Sequence, residues 1–258
     1  MEPWRTAIVE ARDGTIRLRG HDVTSLMTEQ TFTDTIFLLH RSRLPTAQER
    51  RMFDAILSSV ADHGSGAPSC ATARLALSGN RSSVSAAVAA GILAVGDEHG
   101  GAGSGCMELL AAGIERAGRE SISFDECAAR IVNEHRAIGK RVAGLGHRVH
   151  TKDPRTPVLF DLASQHGLAG DGIRLMRAIA AEVAKQVKPM TINVDGALAA
   201  VLYDMGFEPT FARLIFIIGR VAGLTAEVME ELTRERPMRI RIPVTFDGAG
   251  GGTSSESE

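Results

Sequence analysis

Aromatic side chains are scarce in this sequence. They make up 4% of its residues, with one tryptophan and one tyrosine. Glycine, at 27 residues, and abundant alanine favour helices that approach closely through small side chains. Cysteine is sparse too. Cys70, Cys106 and Cys127 form no Cys-x-x-Cys pair, and their odd number argues against a disulfide framework. No sign of charge dominates: the net charge of -2 leaves no global basic field to favour nucleic acid. The longest low-charge run, roughly residues 84–95, is too short to span a bilayer. Residues 1–14 carry charges and no apolar stretch, so no signal peptide is expected and a cytoplasmic protein is. What remains is ordinary globular composition, 44% hydrophobic and 23% charged. Its 258 residues suffice for one large domain or two small ones.

Turn and cap signals divide the chain. Residues 6–9 and 15–18 flank Arg12-Asp13-Gly14, a hairpin signal because glycine takes positive φ freely. Residues 33–40 read as a short helix ended by Leu44-Pro45. Thr46-Ala47-Gln48-Glu49 is a capping box, and Met52, Phe53, Ile56, Leu57 and Val60 follow at helical spacing. Further helices are expected over 70–77, 84–95, 107–116, 124–138, 173–187, 197–205 and 211–221. The one over 84–95 reads as buried. The one over 124–138 starts at a second capping box, Ser123-Phe124-Asp125-Glu126, and Arg220 falls near the end of the last. Ile240, Ile242 and Val244 alternate like a short strand, and the Gly/Ser/Glu-rich residues 247–258 are expected to be disordered. The fold class this predicts is mainly α, a multi-helix fold with a short N-terminal β-hairpin.

The chemistry concentrates at residues 141–155. Gly144 and Gly146 let backbone run close to a ligand, and they lead into His147. Arg141, Arg148, Lys152 and Arg155 surround that histidine, a pattern suited to acid–base work on an anionic substrate. Asp153-Pro154 stops any helix there. His63 and His99 likewise sit at helix ends or turns beside glycine. Asp195 precedes a helix, whose dipole favours a carboxylate at that end.

In order along the chain, these motifs resemble the citrate synthase superfamily, including citryl-CoA lyase and the C-terminal module of ATP-citrate lyase. Residues 13–20, Asp-Gly-Thr-Ile-Arg-Leu-Arg-Gly, are similar to its N-terminal segment, and Leu44-Pro45-Thr46 to its Leu-Pro-Thr. Ala61-Asp62-His63, His99-Gly100-Gly101, Gly144-Leu145-Gly146-His147 with Asp153-Pro154-Arg155, and Asn193-Val194-Asp195 resemble its site motifs. Gly219-Arg220 and Glu235-Arg236-Pro237 resemble two carboxylate-binding arginines. The resemblance implies a reduced large helical domain (roughly 1–98 and 196–246) and a small one (99–195), forming one catalytic unit over 1–246.

It also implies roles. Asp195 would exchange the proton of the acetyl carbon, His99 would hydrogen-bond the thioester oxygen, and His147 would serve the citryl hydroxyl. His63 would hold the ketone of oxaloacetate, and Arg155, Arg220 and Arg236 its carboxylates. One of these arginines comes from a partner subunit in the family, which implies a homodimer or higher homo-oligomer. Coenzyme A, here a substrate and not a cofactor, would lie on Val142, Ala143, Gly144, Leu145 and Gly146, with Arg148 or Lys152 near its phosphates. The expected reaction is cleavage of citryl-CoA to acetyl-CoA and oxaloacetate. The chain is short between Pro45 and His63, as the small lyases are. The full triad, His99 included, keeps a minimal citrate synthase as the alternative. A non-catalytic CoA- or citrate-binding subunit ranks lower. So does a metal-dependent hydrolase built on His63, His99, His147 and His150, which lacks any recognised zinc spacing.

Overall fold

In the computed structural model, residues 2–146 and 153–246 are described; the tail at 247–258 lies outside them. Three short strands open the chain, β1 (Val9–Arg12), β2 (Thr15–Leu18) and β3 (His21–Asp22), in one antiparallel sheet of that order. Asp13 and Gly14 both take positive φ, 51° and 75°. A two-residue loop of that kind matches the twist of the strands it joins. The first strand begins three residues later than its sequence suggests, and β3 carried no signal.

Eleven helices follow among the described residues. α1 (Val23–Glu29), capped by Asp22, was not legible in the sequence. α2 (Phe32–Arg41) and α3 (Ala47–Val60) both start in complete capping boxes, Thr31 with Asp34 and Thr46 with Glu49. α4 (Pro68–Gly79) and α5 (Val84–Leu93) form a close pair against the middle of α11 (Pro209–Arg234). α6 (Ala102–Glu120), α7 (Phe124–Ala137), α8 (Arg155–Gln165) and α9 (Asp171–Gln186) surround α10 (Val194–Asp204) or pack behind it.

α10 is the centre. Every residue from Gly196 to Leu202 is buried, so the helix is apolar all round and enclosed on all sides. One core runs from Phe37 and Phe53 through Met107, Leu175 and Ile179 to Phe216. Aromatic rings gather at one end of it: Phe53 meets Phe37 edge-on at 5.6 Å and stacks on Phe207 at 5.7 Å. A smaller cluster of Cys70, Ala73, Leu77, Ala87, Leu224 and Val228 fills the space between α4, α5 and α11. The three cysteines are free and buried.

Several sequence expectations need correction. The helix expected over 84–95 is not enclosed: Val84 is 48% and Leu93 85% exposed, and only Ala87 and Gly91 are buried. Its apolar periphery lies open beside α11. The second capping box is half formed. Ser123 accepts from Glu126 N–H, but the Glu126 carboxylate turns outward to Arg130 at 2.6 Å. α11 continues past residue 221 for more than three turns, because Leu224, Val228 and Glu231 keep a buried face on the same side; Arg220 is mid-helix. Asp153-Pro154 does not only end a segment; Pro154 is the N-cap of α8, a helix the sequence did not signal. Residues 240–244 form no strand: Ile242 and Val244 stand exposed, with no neighbouring strand to pair with among the described residues. No described helix is long and apolar enough to cross a membrane.

Candidate active site

Two sequence-distant segments are stapled together at the N-terminus of α10. Gly146 N–H donates to Thr191 O at 2.8 Å, Asn193 N–H to Gly144 O at 3.0 Å, and Leu145 bridges Ile192. Asn193 serves both sides. Its Oδ1 accepts from Gly196 N–H at 3.0 Å and caps α10, while its Nδ2 donates to Gly146 O at 2.8 Å. The segments meet glycine on glycine. A Cβ on Gly196 would stand 2.4 Å from Gly144 O, and one on Gly144 would stand 2.7 Å from Gly196 Cα. Gly144 also holds φ +81°, which an L side chain rarely adopts.

This staple presents Asp195 to a cleft of about 960 Å³. Its Oδ1 is buried and has no hydrogen-bond partner among the described residues. Burial pushes its carboxyl above the ordinary range; the fields of Arg155 and Arg220 oppose this, and Asp153 adds to it. A carboxyl so placed holds its proton more readily than a solvated one, and as an anion it is the stronger base.

Beside it, Arg155 grips Asp153 through both ends, Nε to Oδ1 at 2.9 Å and Nη2 to Oδ2 at 2.8 Å, and Nη1 reaches Ser59 O at 3.1 Å. Asp153 Oδ2 also accepts the first amide of α10, from Val194, at 3.0 Å. Burial works to raise the Asp153 carboxyl, yet the bonds from Arg155 and Val194 hold it below the usual carboxylate range. Asp153 therefore fixes Arg155 and the start of α10 at once, a role its sequence motif did not reveal.

His99 sits on a tight turn closed by mutual backbone bonds with Gly96. Gly100 behind it is pressed against the Phe216 ring, where a Cβ would come within 2.3 Å. Ser69 N–H donates to His99 Nε2 at 3.3 Å, and Ser69 Oγ lies 2.9 Å from the same nitrogen. A backbone N–H only donates, so Nε2 accepts where the Ser69 N–H bond is made. Arg220 is buried, with its Nε on Val60 O at 2.9 Å and Nη1 on Ser69 Oγ at 3.3 Å, and its guanidinium lies over Phe216.

The cleft brings together His63, His99, Asp195, Arg155 and Arg220, and Val142, Leu145 and Gly146 line it. Gly144 is part of the staple, and neither it nor Ala143 lines the cleft. Arg236 does not line it either. It is exposed on the segment after α11, which is tied back through Arg239 to Glu231 and through Met238 N–H to Ser78 O. His147, Arg148, His150 and Lys152 lie outside the described residues. Val132, His135, Arg136, Val183, Val187 and Lys188 also line the cleft, a part that sequence reasoning missed. The cations at the ends of α7 and α9 were the available signal. Among the described residues, the one cluster with close metal-ligand atoms is Asp62, Cys70 and Glu227. It contains none of the histidines, and Arg74 already pairs with Glu227.

Residues 47–241 match the family described as citrate synthase, C-terminal domain. Citrate synthase of Haloferax volcanii is 31% identical over 198 residues, covering 75% of this chain and 49% of that protein. Citrate synthase of Deinococcus radiodurans is 28% identical over 228 residues, 85% of this chain and 57% of that one. The chain spans about half the length of the curated relatives it matches. Citryl-CoA lyase from Hydrogenobacter thermophilus superposes with a TM-score of 0.84 at 36% identity, covering 99% of this chain and 97% of that one. ATP citrate lyase from Methanothrix soehngenii, solved with citrate and coenzyme A, shares the fold at a TM-score of 0.73 and 17% identity, over 96% of this chain and 43% of that one. Motifs, helical architecture and these likenesses agree: the chain belongs to the citrate synthase family.

Proposed function

We propose that the chain cleaves citryl-CoA to acetyl-CoA and oxaloacetate. The observation that carries this reading is the end-to-end likeness, over 99% and 97% of the two chains, to a citryl-CoA lyase. In the cleavage, His147 takes the proton of the citryl hydroxyl, and the carbon–carbon bond breaks as that oxygen becomes the ketone of oxaloacetate. The electron pair passes to the departing CH₂ and onto the thioester oxygen, which accepts from His99 Nδ1–H. Asp195, entering as the neutral acid, gives its proton to the carbon to complete acetyl-CoA. Its raised proton affinity supports that starting state. Each such positioned acid or base contributes roughly 10²–10⁴ in rate. His63 holds the ketone, Arg155 and Arg220 hold carboxylates, and residues 142–146 carry coenzyme A on their backbone, with Arg148 or Lys152 at its phosphates.

A homo-oligomer is part of the same reading. Arg236 is exposed and outside the cleft, which suits an arginine acting in a second copy. An apolar groove of about 490 Å³ between α5 and α11, lined by Val88, Ile92, Val228 and Met229, suits a surface covered by that copy.

The second reading is a minimal citrate synthase, favoured by the names of the curated relatives and by His99 and Asp195 occurring together. Both readings share the step at the carbon–carbon bond. They part at the thioester, which a synthase also hydrolyses. Purified protein given citryl-CoA is expected to yield acetyl-CoA and oxaloacetate, and given those two it is expected to release little free thiol. Rapid thiol release from the pair, with citrate as product, overturns the lyase reading in favour of the synthase.

A further inference from the structure

Residues 235–246, after α11, form no helix or strand, yet their first turn is tied down on both sides. Arg81 donates to Glu231 O at 3.0 Å and satisfies a carbonyl at the end of α11. Met238 N–H donates to Ser78 O of α4 at 2.9 Å. Arg239 forks back onto the Glu231 carboxylate, Nε to Oε1 at 3.0 Å and Nη2 to Oε2 at 2.5 Å. Glu231 is fully buried, and a carboxylate there needs charged partners. Arg74 of α4 is one, Nε to Oε2 at 3.0 Å, but Arg74 also pairs with Glu227 at 2.5 Å. Arg239 is therefore the second cation that the cluster requires. Met238 takes φ +55°, a conformation that a side chain adopts at a cost, so the contacts flanking it hold the turn in place. Arg236 lies between the end of α11 and this fork, exposed and outside its own cleft.

We propose that Arg239 is a positioning residue: its fork onto buried Glu231 sets the 235–239 turn, so that Arg236 is presented already fixed to the cleft of a second copy. The presentation rests on the reading of Arg236 as an arginine that acts in that copy; the anchoring of the turn does not. A loose turn must be ordered each time a carboxylate is captured, and that ordering is drawn from substrate affinity. Loss of the anchor therefore weakens binding more than it slows the chemical step. The defect also falls in the other subunit: a chain without the anchor keeps a sound cleft and spoils its neighbour's.

The test uses Arg239→Gln, which leaves the Arg74–Glu231 pair in place. Amide hydrogen exchange at Met238 is expected to quicken by about tenfold or more. KM for citryl-CoA is expected to rise about tenfold while kcat changes by less than about threefold. Arg239→Gln is then mixed with Asp195→Asn and assayed at citryl-CoA well below the wild-type KM. Activity is expected to rise several-fold after subunit exchange, because the Asp195→Asn chain lends its sound turn to the intact cleft. Should Arg239→Gln fail to fold, Arg239→Lys keeps the charge, loses the fork and is expected to move each readout the same way by less. Unchanged exchange at Met238 overturns the anchor. A raised KM that mixing does not relieve, where Arg236→Gln mixtures do recover, places the effect of Arg239 in its own subunit and overturns the proposal. Mixtures that fail for both arginines, or a wild type that never cleaves citryl-CoA, remove the functional reading, and exchange at Met238 still decides whether Arg239 anchors the turn.

Discussion

Adding one methyl group at Gly196 is expected to unseat the 142–146 loop. In Gly196→Ala the new Cβ falls 2.4 Å from Gly144 O, 2.9 Å from Gly144 Cα and 3.0 Å from Gly144 C. All three are backbone atoms, so no flexible side-chain end can yield. Ordinary C···O contact is roughly 3.3–3.6 Å, so the 142–146 loop must retreat by about 1 Å. The Asn193 N–H to Gly144 O bond, now 3.0 Å, then stretches past hydrogen-bonding range. Loss of that bond and local overpacking together cost roughly 2–4 kcal/mol. For a chain of this size that lowers Tm by roughly 5–15 °C. Because the displaced loop is the proposed seat of coenzyme A, affinity for CoA is expected to fall by about tenfold or more. Scanning calorimetry and calorimetric titration with CoA read the two effects. Gly105→Ala on α6 is the control. Its Cβ meets nothing within 4 Å, so Tm is expected to stay level or rise. Wild-type melting and CoA affinity in Gly196→Ala would refute the glycine-on-glycine contact as the seat of the loop.

Asp195→Asn is expected to bind CoA normally while kcat falls by roughly 10²–10⁴, because the amide keeps the shape and cannot pass a proton. The same variant is expected to melt higher than wild type at neutral pH. Burial raises the Asp195 carboxyl above its ordinary 3.8, so the advantage of the neutral acid is full below that value and is lost as pH rises through the folded one. The gap in Tm should close on acidification, and an Asn variant no more stable at neutral pH contradicts the burial argument. Mixing Asp195→Asn with Arg236→Gln tests the shared arginine. A dimer of the two holds one intact cleft, so a statistical mixture of two nearly inactive proteins recovers about a quarter of wild-type activity. No recovery after subunit exchange places the function of Arg236 elsewhere.

Local signals in the sequence reached far along the chain. Thr46 and Glu49 announce α3 because a capping box is written in neighbouring residues. At α10 the sequence places Asp195 ahead of the helix, whereas the helix starts at Val194 under the Asn193 cap and holds Asp195 in its first turn. Ser69 was invisible because its partners lie 30 and 151 positions away, at His99 and Arg220. Asp153 looked like a helix stop, and only the folded chain shows that it accepts from both Arg155 and Val194. The misreading of α5 has a different cause. An apolar periodicity states that a face avoids water, without stating whether its own chain or another covers it. Residues 240–244 alternate like a strand, but alternation needs a neighbouring strand and the described fold supplies none.

The burial of the three cysteines turns the protein into its own motion sensor. Burial pushes the Cys106 thiol up to about 12 and raises those of Cys70 and Cys127, so none offers a thiolate to reagent while the fold is shut. Each reports from a different region: Cys70 from α4 beside Arg220, Cys106 from beneath Gly144, and Cys127 from α7 against Gly113 O at 3.2 Å. The rate at which a thiol reagent labels each one therefore times how often that region opens. A ligand that closes the 142–146 loop on α10 slows the clock at Cys106 first, before any turnover is measured.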